Sequence, residues 1–184
     1  MKILIAEILD PIRDFYNMRW RRKREIVFFC MIPLLLGLVF IICDLFWQPI
    51  RIFDLDSFIL DFLNQLVTVL TLFISFSMAY LSILITSGSG NVDDLKKRES
   101  EGYSLERGKK KITLYQVIMD EITYTLIAEI IFLLFIFLQK FLYLICKDYI
   151  LKILIAIDIS FLVHVLLLMM VTVKNIYFAF WRSK

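Results

Sequence analysis

The sequence predicts an all-α polytopic membrane protein: four transmembrane helices after an N-terminal amphipathic helix, with both termini in the cytoplasm. Three observations predict it. Apolar residues make up 60% of the 184-residue chain and aromatics 15%, more than a soluble domain of this size can hide from water. Four apolar stretches are each long enough to cross about 30 Å of hydrocarbon at 1.5 Å rise per residue. The Lys and Arg residues fall almost wholly on one side of those stretches, which fixes an orientation.

The N-terminal stretch, MKILIAEILDPIRDFYNMRWRRKRE, is not read as a cleaved signal, because Glu7, Asp10 and Pro11 interrupt its apolar run and its basic cluster follows rather than leads. Residues 1–25 read as a cytoplasmic amphipathic and basic segment. Ile5, Ile8, Leu9, Ile12, Phe15 and Tyr16 share a broad apolar face, with a break expected near Pro11. The helix is expected to lie on the inner leaflet, or simply to lead into span one and pack on neighbouring subunits, and the two can hold together. Arg21, Arg22, Lys23 and Arg24 then face anionic headgroups.

Residues 26–86 hold the first two spans, Ile26–Phe46 and about Leu60–Thr86. The first tolerates Pro33 and Gly37, both residue types being commoner in membrane helices than in soluble ones. Its partner begins beyond a short outer connection, WQPIRIFDLDSF, that carries Asp54 and Asp56. Residues 87–113 form a charged loop in which DDLKKRESE has the charge spacing of a short helix. Residues 114–173 hold spans three and four, about Leu114–Leu138 and Ile150–Val173, joined by a tight outer hairpin. Residues 174–184 are an aromatic and basic tail, YFAFWRSK at its end. With this layout 17 of the 21 cations lie on one side, leaving Arg51, Lys140, Lys147 and Lys152 on the other. The positive-inside rule puts the first group in the cytoplasm.

Span two carries the most informative pattern. Ser57, Asp61, Asn64, Thr68, Thr71, Ser75, Ala79, Ser82 and Thr86 recur at spacings of three and four, one helix face from end to end. A small polar face lets transmembrane helices approach closely; it also suits a pore lining. A pore would be a cation path entered past Asp54, Asp56 and Asp61.

Ionisable residues in mid-span mark functional hypotheses by default. Glu129 lies in span three, Asp158 and His164 in span four. Counted from the cytoplasmic ends, Glu129 and His164 sit about 17–18 Å deep, so the two are expected to meet. They form either a structural clamp or a pH-sensitive gate. Asp158 lies about 9 Å further out and needs another partner, such as Ser160 or a hydroxyl of span two.

Enzyme chemistry is not expected. The chain has one His, no HExxH, no Ser–His–Asp set and no phosphate-binding glycine loop. Its three cysteines, Cys30, Cys43 and Cys146, have no metal-ligand spacing, so neither cofactor nor metal is expected. The loop's cations, Lys96, Lys97, Arg98, Lys109, Lys110 and Lys111, are candidates for lipid or protein contact. Direct nucleic-acid binding is not expected, since Tyr103 is the loop's one aromatic before its final residues.

The layout as a whole resembles the small four-pass membrane subunits of bacterial antiphage defence systems, the Kiwa membrane subunit among them. It shares with them the basic N-terminal segment, the charged loop at 87–113 and the aromatic basic tail. The resemblance implies an inner-membrane oligomer that senses envelope disturbance and works with a cytosolic protein. The polar face of span two and the carboxylates within the spans independently favour a small homo-oligomer, such as a tetramer. Two functions follow as expectations: a sensor and scaffold docking a cytosolic partner, or an ion-conducting channel lined by span two.

Overall fold

The computed structural model describes residues 2–19, 22–46, 55–86, 90–105, 110–143, 145 and 148–181. Among these residues, six helices and one small hairpin follow in the order α1 (Lys2–Met18), α2 (Lys23–Phe46), α3 (Leu55–Thr86), α4 (Gly90–Lys97), β1 (Glu99–Leu105), β2 (Lys110–Thr113), α5 (Leu114–Leu142) and α6 (Asp148–Trp181). Four of them, α2, α3, α5 and α6, contain spans of 21, 30, 29 and 28 residues apolar enough to cross a membrane. At 1.5 Å per residue the three longer ones exceed the roughly 30 Å hydrocarbon layer, so they tilt or project beyond it.

The membrane helices pack in the order α2–α6–α5–α3. Thus α5 and α6 each have two long neighbours, whereas α2 and α3 have one. The shared core runs along the middle of this array, through Leu63, Leu66 and Leu70 of α3, Phe132 and Ile136 of α5, and Ile155, Val165 and Leu168 of α6. Apolar side chains are uncovered on the outside, Leu34, Leu35, Leu38 and Ile42 on α2, and Leu72, Phe76, Ile83 and Ile85 on α3 beside its exposed polar row. Such side chains suit lipid as their solvent.

Close approach of α2 to α6 depends on Gly37. A Cβ there would collide with the Ser160 hydroxyl and lie 2.8 Å from the Ala156 carbonyl oxygen. Ser160 is itself held, donating to that same carbonyl at 3.0 Å. Gly37→Ala is therefore expected to lower stability by about 1–3 kcal/mol through overpacking. Its unfolding midpoint in detergent, beside that of an exposed control such as Leu35→Ala, checks this.

Two expectations for the segments outside the spans change. First, α1 runs unbroken through Pro11. A proline inside a helix removes one backbone bond; here the following turns are held by packing on α5, where Phe15 stacks on Tyr124 with ring centroids 3.9 Å apart. The end of α1 is thus packed on its own chain, with Phe15 and Met18 buried. Second, residues 87–113 are not only a charged loop with a short helix. Behind α4, β1 and β2 pair antiparallel, with an irregular register between Glu99 and Ser104. The hairpin leads straight into α5 through a capping box: Gln116 N–H donates to Thr113 Oγ1 at 3.3 Å, and Thr113 N–H donates to Gln116 Oε1 at 3.0 Å. Val92 and Leu95 of α4 are buried, Leu95 against Leu84, Ile118 and Ile122. The α4–hairpin unit is therefore a packed cap on the bundle end.

Candidate functional site

Three polar groupings stand out, at different levels of the bundle. The first is the polar face of α3. Ser57, Asp61, Asn64, Thr68, Thr71, Ser75, Ala79, Ser82 and Thr86 are all exposed. The buried side of α3, the helix packed on α5, is instead formed by Ile59, Leu63, Leu66, Leu70 and Ser77. Several hydroxyls turn back on their own helix. Thr68, Thr71, Ser75 and Thr86 donate to the carbonyls of Asn64, Val67, Thr71 and Ser82 at 2.7–3.1 Å. Such bonds reduce the cost of a hydroxyl in an apolar medium while leaving its oxygen free to accept. Near the outer end, Lys140 of α5 donates to Asn64 Oδ1 at 2.7 Å.

The second grouping is inside the bundle, and it corrects the expected pairing of Glu129 with His164. Glu129 faces α3, where Ser77 donates to its Oε1 at 3.1 Å. His164 faces the other way. Its Nδ1 lies 3.0 Å from the Phe29 carbonyl of α2, and its Nε2 lies 3.2 Å from the Tyr124 hydroxyl. A carbonyl can only accept, so Nδ1 carries the proton, and Nε2 of a neutral ring accepts from Tyr124. Tyr124 in turn accepts from Tyr16 of α1 at 3.0 Å. The result is a chain of donors from α1 through α5 to α6 and α2 that satisfies a neutral His164. Equal depth does not bring Glu129 to His164, because the two side chains leave their helices at different phases.

Asp158 also finds its partner elsewhere than on α3 or at Ser160. It faces Gln139 of α5, both residues being fully buried. No well-formed hydrogen bond closes on either carboxyl oxygen, nor on Glu129 Oε2 or Thr172 Oγ1, among the described residues. Thr172 lines a cavity of about 10 Å³ with Ser77, Tyr80 and Thr125, the room one water needs.

The third grouping lies at the end of the bundle that carries the α4–hairpin cap, and its centre was not legible in the sequence. Arg19, just after α1, is 1% exposed. Its guanidinium donates to Glu121 Oε1 of α5 and, at 3.0 Å, to the Phe15 carbonyl. It lies 3.7 Å from the centroid of the Phe15 ring. Asn175 of α6 donates to the other Glu121 oxygen. Around this core Arg22 donates to Glu25 at 2.7 Å and to the Tyr103 hydroxyl of β1 at 3.3 Å. Burial, together with the carboxylates of Glu121 and Glu25, pushes the Tyr103 phenol up to about 12. It therefore remains a protonated donor at neutral pH, and it reaches Glu25 at 3.5 Å. One cluster thus joins α1, α2, β1, α5 and α6.

The remaining basic candidates divide. Lys23, Arg24, Lys96, Lys97, Arg98 and Lys111 are exposed. Lys111 pairs with Glu99 across the hairpin at 2.7 Å, and the Lys96 ammonium lies 5.2 Å from the Tyr115 ring centroid. Arg21 and Lys109 lie outside the described residues, as do Asp54 and Cys146, while Lys110 opens β2 opposite Leu105. Among the described residues no three His, Cys, Asp or Glu side chains gather as a metal site requires. Comparisons with protein-family models, with curated proteins and with solved structures find no match.

Proposed function

We propose that this protein is a homo-oligomeric sensor and scaffold of a bacterial inner membrane, which passes a disturbance of the envelope to a cytosolic protein docked on its cap. The antiphage role implied by the layout belongs to this reading. The observation that carries it is the buried Arg19 cluster. The cap and α1 are tied to α5 and α6 through Arg19, Glu121 and Asn175, with Tyr103 of the hairpin bonded into the same group. A shift of α5 against α6 changes the distance between Glu121 and Asn175, and so disturbs the seat of Arg19. Packed cores and ion clusters switch between discrete arrangements rather than stretching. The exposed cations of the cap then offer a surface to an acidic partner.

The test is crosslinking in membranes of the source cell. Lys96→Glu, Lys97→Glu and Arg98→Glu together are expected to reduce crosslinks to a cytosolic protein by about tenfold or more. The oligomer ladder should stay unchanged. A triple variant that crosslinks like the parent would remove the cap from the docking role.

The second reading is an ion-conducting channel, favoured by the α3 face. A full-length row of exposed polar groups, from Asp61 to Thr86, is what a water-filled path between copies requires. In that case large apolar replacements on α3 abolish activity and the cap tolerates change.

A further inference from the structure

At the cytoplasmic end of the array, α2 and α6 flank an open cleft of about 280 Å³. Arg24, Glu25, Phe28, Phe29, Val171 and Lys174 line it. Its two ends differ in chemistry. Arg24 and Lys174 are exposed at the lip, one at the start of α2 and the other near the end of α6. Glu25 does not cancel them, because its carboxylate is engaged by Arg22 at 2.7 Å and faces Arg19 at 3.9 Å. The floor is apolar: Phe29 is buried, while Phe28 is 48% exposed and meets Phe29 edge-on with centroids 6.0 Å apart.

We propose that this cleft is a binding site for one anionic phospholipid, its phosphate held between Arg24 and Lys174 and the upper part of an acyl chain laid along Phe28 and Val171. Two cations from different helices suit a phosphate diester, with Arg supplying paired donors. Long basic side chains at helix ends reach the headgroup level while their stems lie on apolar surface. The cleft opens at the end that carries most of the chain's cations, the side facing the anionic leaflet. A free phosphate would use the lip and leave the aromatic floor without an occupant; a phospholipid uses both. Bound there, the lipid bridges α2 to α6 beside Glu25 and Asn175, two members of the Arg19 cluster. The site is compatible with a scaffold and with a channel alike.

The experiment is native mass spectrometry of the full-length protein released from mild detergent. The probes are phosphatidylglycerol, phosphatidylcholine of the same chain length, and inorganic phosphate. One phosphatidylglycerol per chain should be retained, and phosphatidylcholine should not. Arg24→Gln with Lys174→Gln is expected to weaken retention by about tenfold or more. Lys96→Gln with Lys97→Gln, which removes the same charge from the cap, should retain the lipid. Phe28→Ala should weaken retention while leaving both cations in place. Equal retention of phosphatidylcholine would overturn the proposal, as would parental binding by the Arg24 and Lys174 double variant. Equal loss in the cap variant, or displacement of the lipid by inorganic phosphate at matched concentration, would overturn it too.

Discussion

Arg19→Ala is expected to destabilise the protein by about 3–5 kcal/mol, the range for breaking one side of a buried ion pair. Arg19 is 1% exposed and its partner Glu121 2%, so neither charge can recover its hydration in place. Among the described residues, removing Arg19 leaves Glu121 with Asn175 as its side-chain donor. It also strips the Phe15 carbonyl and ring of the guanidinium that covers them. Glu121→Ala strands the opposite charge, and Glu25 at 3.9 Å is too far to replace the lost bond. The contrast is Lys111→Ala. The Lys111–Glu99 pair is shorter than many at 2.7 Å, yet 79% and 63% exposed, so its loss should cost about 1 kcal/mol or less. The check is the unfolding midpoint in detergent, with a double-mutant cycle on Arg19 and Glu121 to isolate their coupling. Limited proteolysis adds a local reading: losing Arg19 should expose the α4–hairpin cap to cleavage while the membrane helices stay intact. An Arg19→Ala midpoint no lower than that of Lys111→Ala would show that the cluster does not hold the cap.

What the sequence could and could not reveal follows from which forces act locally. The four spans are legible because a run such as Ile26–Phe46 has no stable state in water, whatever its neighbours. The polar face of α3 is legible because helical periodicity alone places Asp61 and Thr86 on one side. Its exposure is not, since hydropathy carries no information on which face meets α5. The same gap explains the failed pairing of Glu129 with His164. Depth along a helix can be counted, but the direction in which a side chain leaves it depends on helix order. In the order α2–α6–α5–α3, Glu129 turns to α3 and His164 to α2. The β-hairpin lacks clear apolar alternation in ESEGYSL and KKIT, so its pairing owes more to the buried Ile112 than to strand propensity. Arg19 is hidden for a plainer reason: in RWRRKR nothing distinguishes the buried Arg19 from the cations around it.

Ser75→Leu is expected to disrupt whatever the α3 face does, and the manner of failure identifies its role. Ser75 lies midway along the face and is exposed, its hydroxyl donating to the Thr71 carbonyl at 2.8 Å. In a single chain its replacement by Leu should be nearly neutral or slightly stabilising, because the site faces the surroundings and Leu suits lipid better than Ser. A strong effect must therefore come from another copy. If the face is a packing seam, Leu forces two helices apart and removes an acceptor from the contact. The dissociation constant in mild detergent should then rise by about tenfold or more, moving the mass from oligomer to monomer. If the face lines a water-filled path, the oligomer survives and discrete currents of the parent in planar bilayers disappear, since an apolar ring at mid-pore favours dewetting. Thr71→Val separates the cases further. It keeps the shape and removes the hydroxyl, so a tightly packed seam should tolerate it better than Ser75→Leu, whereas a pore would lose conductance in both. Parental mass and parental currents in Ser75→Leu would exclude the face from both roles, leaving the cap and its Arg19 cluster as the part of the molecule on which function turns.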